Sequence, residues 1–459
     1  MDPAAAADAE TPDPPTRRRL LRLTLAAVAV RAAFVLLEPA VPPVADERTW
    51  TDGARAVAGA RTGLDPFRTH LLIFHPPLYS YFLAVPFRLT GSFEPVKWLQ
   101  VVVTSLLVPA VGRLGTRMFG PSAGLAAAAL AAFYPELWWF SAHYWVENVF
   151  VVLLLWAFER LVAADARGSV GPAVTGGILW GLAVLARETG LYFLPVATAW
   201  LAWRARHPGG GRRAGAFLAA ALVTVAPWTA RNWIVFHAFV PVSTAGGLNL
   251  FQGNAPMTRQ EVYDEYYAVH GKIEQFRHAR SRGMEIVLAR QPWWILEKLR
   301  EQMPMFWEAE SMAVIHVKRG AYGAVPPGLA VAVAAVMIGP YLAVLALFVA
   351  GLAQAAWSRR TVLLAGFLAY HNLLHVATHG FNRYRLPVMP IVFLFAAAAW
   401  VAWRGRRMPL TPRRRLAAVA LALVLGASVA PSLLIQWRHP AFRSAGPPPL
   451  VDSPEAPES

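Results

Sequence analysis

Apolar runs near 20–40, 96–115, 121–140, 145–163, 171–187, 189–203, 214–230, 328–356, 361–380, 385–403 and 415–436 dominate this sequence. A backbone in hydrocarbon has no water to bond, so it must satisfy its own N–H and C=O groups. Runs of this kind therefore fold as helices, each needing about 20 residues to cross. The pair at 171–203 is short and joined at "ARETG". The pattern predicts an all-α polytopic membrane protein with about eleven transmembrane helices. Composition agrees: 56% of residues are hydrophobic and only 15% charged, too apolar for a soluble domain with one core.

The charges set the topology. Lys and Arg number 43 against 27 Asp and Glu, giving a formal charge of +16. The excess comes in short clusters between apolar runs, which is the pattern of cytoplasmic loops rather than of a nucleic-acid surface. Arg17–Arg19, Arg113 with Arg117, Arg204 with Arg206, Arg212 with Arg213, Arg359 with Arg360, and "RGRRMPLTPRRR" all fall on one side of an alternating path. That side is expected to be cytoplasmic, with the N-terminus on it and the chain in the plasma (inner) membrane. The start "MDPAAAADAETPDPPTRRRL" is too polar for a cleaved signal. Residues 1–19 are expected to be a disordered tail, 20–436 one membrane domain, and 437–459 a flexible C-terminal tail. The chain has no Cys, so neither disulfides nor thiolate metal sites are available.

Two long loops, about 41–95 and 231–327, fall on the outer side of this topology. The first holds "ERTWTDGARAVAGA", predicted to form a short helix, and "FHPPLYSYFLAVPFRL", predicted to lie along the interface. The second holds "SRGMEIVLARQPWWILEKLREQMPMFWEAE", whose apolar spacing predicts an amphipathic helix with Trp293, Trp294 and Trp307 at the interface.

Ionisable groups at membrane depth are costly, which makes each a functional candidate. Asp46 and Glu47 in "ADERTW" sit at the outer mouth of the bundle. They suit a general base or a divalent-cation ligand, and equally an acidic first helical turn. Glu136 and Glu147 flank the aromatic stretch "LWWFSAHYW". Arg187, Arg231, Arg383 and Arg385 lie away from the cytoplasmic clusters, so they are candidates for binding an anion or for pairing with Glu136, Glu147 or Glu188. His371, His375 and His379 recur every four residues; a polar stripe facing a wet cavity is expected rather than a metal site. His75 precedes paired prolines. No phosphate-binding glycine loop is present, so soluble nucleotide chemistry is not expected.

Taken in order, "RAAFVLLEPAVPPVADERTWTDGARAV", "HPPLY", "YPELWWFSAHYWVENVF", "GLAVLARE", "PWTARNWIVFHAFVPVSTAGGLNLFQGN" and "RYRLPVMP" resemble the GT-C superfamily of membrane glycosyltransferases. The likeness is to the branch of protein O-mannosyltransferases and the lipid A aminoarabinose transferase. It implies a GT-C bundle with two structured outer loops. It also implies transfer of a hexosyl or pentosyl group from a polyprenyl-phosphate carrier to a lipid, glycan or protein acceptor on the outer face, with inversion. On this resemblance Asp46 is the base and Glu47 the second member of the acidic pair. His75 takes the basic position before the prolines, near the carrier phosphate. Arg231 and Arg383 take phosphate-contacting positions, and Glu147 the second-loop acid that helps the acceptor or a metal. Arg187 and Arg385 are carried as further substrate contacts; no cofactor is certain, and a divalent cation is left open. A transporter or flippase of lipid-linked sugars is the other reading, though transporters commonly show two similar halves and these halves differ.

Overall fold

The computed structural model describes residues 13–44, 46–59, 70–203, 208–405 and 411–436. Most of the expected tails (1–12 and 437–459) and Arg204, Arg206, Arg406 and Arg407 lie outside the described residues. The described residues are helices joined by turns, without a strand.

Every apolar run falls on a helix. Six helices are long and apolar enough to cross a membrane: Pro14–Leu37, Glu94–Phe119, Gly210–Phe236, Pro327–Gln354, Asn382–Arg404 and Pro412–Leu434. Pro121–Phe133, Val170–Ala186 and Thr189–Ala202 are apolar but shorter. Glu147–Arg167 and Arg359–Ala377 complete the set. The chain is an all-α, multi-pass membrane protein. The run at 121–140 is not one helix, because the residue before a proline is disfavoured in the α region. Tyr134, ahead of Pro135, is extended at φ −70° and ψ 119°, and a separate helix, Pro135–Ala142, follows.

The first helix begins earlier than the tail boundary suggested. Asp13 caps it, accepting from the Thr16 amide at 3.2 Å, and Pro14 opens it. Further along, Arg31 is fully buried and donates to the carbonyls of Ala131 at 2.9 Å and Ala132 at 3.3 Å. Those carbonyls end the Pro121–Phe133 helix, where the backbone dipole is negative.

Glu147–Arg167 is the most enclosed long helix and packs on Val170–Ala186 and Leu107–Phe119. Val170–Ala186 in turn packs on Gly210–Phe236 through glycines. A Cβ at Gly177 would stand 2.2 Å from the Phe217 carbonyl oxygen, and one at Gly181 2.8 Å from that of Ala221. This is the small-residue contact that lets membrane helices approach closely.

The basic clusters gather at one end of the bundle and find acids there. Buried Glu159 pairs with Arg113, Arg117 and Arg160, and buried Asp165 with Arg359 at 3.0 Å. The two long loops occupy the other end. The first contributes Asp46–Gly59 packed against Pro77–Thr90, whose Tyr79 and Leu83 are fully buried, so this second helix is part of the core on that side. The second loop is a set of helices: Ala245–Asn254, Arg259–Ala268, Lys272–Ala289, Trp294–Trp307 and Met312–Lys318. The single amphipathic helix expected there is interrupted before Trp294, where Pro292 removes an amide donor. Trp293 is exposed as expected, whereas Trp307 is buried in the core.

Candidate active site

Asp46 and Glu47 open the Asp46–Gly59 helix, and adjacent helical positions point about 100° apart. That offset separates two carboxylates of one sequence motif into two environments. The Asp46 side chain keeps about a third of its surface accessible (36%), and that of Glu47 keeps 2%.

Asp46 forms an ion pair with Arg383. The Arg383 guanidinium lies over Trp145 at 4.8 Å and over Tyr384 at 5.0 Å. Arg187 reaches the same Tyr384 ring, also at 5.0 Å, and pairs with Glu147. Two acids and two arginines thus converge around one tyrosine, brought from the first loop, the start of Glu147–Arg167, the end of Val170–Ala186, and the turn Asn382–Val388. Burial works against ionisation of Asp46, but the charge and hydrogen bond of Arg383, helped by His75 and Arg259, hold its carboxyl below the usual range.

His75 stacks on Trp50 with ring centres 4.6 Å apart and meets Phe74 edge-on. Burial pushes its pKa down to about 4 against the opposing pull of Asp46, with Arg383 and Arg187 adding to the fall. At neutral pH it is a neutral hydrogen-bonding group rather than a cation. His379 is lowered to about 4 in the same way, by burial and then by Arg259 and Arg383.

Arg231 and Arg385 make contacts with other groups. Arg231 is buried beside Asn232 at 3.0 Å, with Trp228 and Phe236 rings within 5.1 Å. Arg385 donates to the backbone carbonyls of Glu308 and Glu310, faces Glu136 at 3.6 Å and lies on Tyr341. Its neighbour Arg383 points to Asp46, so the pair in "RYR" divides between holding the second loop and facing the acid. The histidine stripe is also not a wet surface. His371 and His375 are buried and bonded to backbone carbonyls of Tyr384 and His371 at 2.9 and 2.8 Å, and the helix ends at Ala377, short of His379.

Glu47 leads to groups that the sequence reasoning passed over. Its carboxylate accepts from the amides of Tyr144 at 2.8 Å and Val44 at 3.2 Å. It also faces His143 Nδ1 at 3.3 Å and His316 Nε2 at 3.6 Å. Behind His143 stands Glu38, which accepts from His143 Nε2 at 2.9 Å and from the Tyr322 hydroxyl at 2.7 Å. Burial opposes charge on Glu47, but the facing imidazoles outweigh it and bring its pKa to about 2. Burial likewise opposes charge on His143, while Glu38 and Glu47 raise it to about 9. Among the described residues, Glu47, His143 and His316 are the group able to hold a metal ion. His143 stood in plain view within "SAHYWVEN", but His316 and Tyr322 carry no local motif.

Residues 74–230 match the family model described as dolichyl-phosphate-mannose-protein mannosyltransferase. That stretch, about a third of the chain, is what is similar to this family. No curated protein sequence matches it. Among solved structures it is similar to the Archaeoglobus fulgidus oligosaccharyltransferase in the apo form, at 14% identity and a TM-score of 0.49, covering 94% of this chain and 56% of that one. A second structure of the archaeal oligosaccharyltransferase AglB from the same organism, in complex with an inhibitory peptide and a dolichol-phosphate, gives 13% identity and a TM-score of 0.48 over 94% and 56%. The chain spans little more than half the length of these proteins.

Proposed function

We propose that this chain transfers a sugar from a polyprenyl-phosphate carrier to an acceptor hydroxyl on the outer face of the plasma membrane, with Asp46 as general base. The observation that carries the reading is the Asp46–Arg383 pair at the end of the bundle bearing the long loops, with Arg187 at the same Tyr384 ring. A partly accessible carboxylate beside two arginines offers both halves of an inverting displacement. The acceptor oxygen attacks the anomeric carbon as its proton passes to Asp46, and the bond from that carbon to the carrier phosphate breaks with its electrons on phosphate. Arginine suits the departing group because its planar fork donates two hydrogen bonds and stays charged. Arg383 and Arg187 would stabilise that growing charge more in the transition state than before it. His75, being neutral, contributes a hydrogen bond to the phosphate. Glu147, held by Arg187, borders the acceptor side.

Transfer of radiolabelled sugar from polyprenyl phosphate to membrane acceptors tests the base. Asp46→Asn keeps the side-chain volume, and loss of a general base lowers rate by about a hundredfold or more. Unchanged transfer by a folded Asp46→Asn protein would remove Asp46 from the chemistry.

A further inference from the structure

We infer that Glu47, His143 and His316 form a binding site for a divalent cation of the Zn²⁺ type. The site is distinct from the Asp46–Arg383 pair and independent of the sugar-transfer reading. One ligand atom from each residue falls within 4.8 Å of the others, and the three residues are 1%, 4% and 2% exposed.

Hydrogen bonding on the far side of each ring aims both imidazoles inward. His316 Nδ1 lies 2.9 Å from the Met312 carbonyl oxygen, which can only accept, so Nδ1 carries the proton. In the neutral ring Nε2 then bears a lone pair, buried, without a hydrogen-bond partner, and directed at Glu47 Oε2 3.6 Å away. Two acceptors facing each other in a dry site repel unless positive charge lies between them. His143 repeats the arrangement: its Nε2 donates to Glu38 and its Nδ1 faces the other Glu47 oxygen at 3.3 Å.

Those separations suit a shared metal. Ligand bonds of about 2.0–2.1 Å at tetrahedral angles put neighbouring ligand atoms about 3.3 Å apart. A histidine that binds metal through one nitrogen and gives its other N–H to a carboxylate or carbonyl is the usual supporting arrangement, and both rings here have it. Two imidazoles and one carboxylate favour zinc over magnesium or calcium, which take oxygen ligands. Charge also closes: the ion displaces the proton held between His143 and Glu47, and a dication then balances Glu47 and Glu38 with both imidazoles neutral. Such an ion would tie the first turn of Asp46–Gly59 to the 143 turn and to Met312–Lys318, fixing the neighbouring Asp46 in place.

The test is metal content and thermal unfolding of the full-length protein in detergent, stripped with a chelator and then exposed to ZnSO₄ alone. We expect about one Zn²⁺ per wild-type chain by elemental analysis and an unfolding midpoint several degrees higher with zinc. Glu47→Gln and His316→Gln should lose the ion, and the double variant His371→Gln, His375→Gln should keep it. A wild-type chain that retains no zinc and unfolds at the same temperature with or without it overturns the proposal, whatever the variants do. A folded His316→Gln protein with full zinc content overturns it as well.

Discussion

At the scale of single residues, the acidic pair shows how adjacent positions take on unlike work. Asp46 is reachable and balanced by Arg383, while Glu47 is sealed among histidines and amides. Arg383→Ala should raise the apparent KM for the lipid-linked donor by about tenfold or more, the loss of a charged hydrogen bond, and leave Asp46 without its counter-ion. Donor titration of transfer rates checks this, and an unchanged KM would detach Arg383 from the carrier. His75 gives a pH signature. It faces Asp46, Arg383 and Arg187, and its pKa of about 4 in the folded protein lies below its ordinary value. The unfolded chain therefore takes up the proton first, so stability falls as pH drops from about 6.5 toward 4 and is level above that range. His75→Gln should make the acid side of a stability-versus-pH curve shallower and leave pH 7–8 unaltered; thermal unfolding across pH measures it. The sequence made Asp46, Glu147, Arg187 and Arg383 visible, since charges beside apolar runs stand out. It hid the partners of Glu47, because His316 lies hundreds of positions away and no spacing rule connects them.

At the scale of helices, the apolar runs marked where helices lie, six of them long and apolar enough to cross a membrane, and the misreadings came from proline. Pro135 splits one run and Pro292 interrupts the amphipathic segment, in both cases through local backbone sterics that a hydropathy window averages away. Burial of Pro77–Thr90 and of Trp307 was likewise illegible, since an aromatic-rich segment looks the same whether it meets lipid headgroups or other helices. The glycine contact between Val170–Ala186 and Gly210–Phe236 makes a direct prediction. Gly177→Leu forces a side chain against the Phe217 carbonyl and the Ala220 methyl, so the helices must separate. Overpacking of this kind costs about 1–3 kcal/mol. A thermal unfolding midpoint several degrees below wild type, with Gly339→Leu (open space around its Cβ) close to wild type, is the expected result.

For the molecule as a whole, the sorting of charge between the two ends bears on sidedness. Arg113, Arg117, Arg213, Arg359 and Arg360 collect at one end with Glu159 and Asp165, and the acid–arginine cluster lies at the other. With no native cysteine, single replacements report topology cleanly. A membrane-impermeant thiol reagent on intact cells should label Thr258→Cys, in the second loop, and spare Ser169→Cys until the membrane is opened; both positions are exposed. The reverse order would invert the proposed orientation. One further point follows from how far apart the ion-paired partners are in the chain. Asp46 and Arg383 are separated by 337 positions. Ribosomes build proteins from the N-terminus, so the acid enters the membrane long before its arginine has been translated. Any product of premature termination upstream of codon 383 would carry that carboxylate with its counter-charge missing, and such fragments should be inert and prone to clearance.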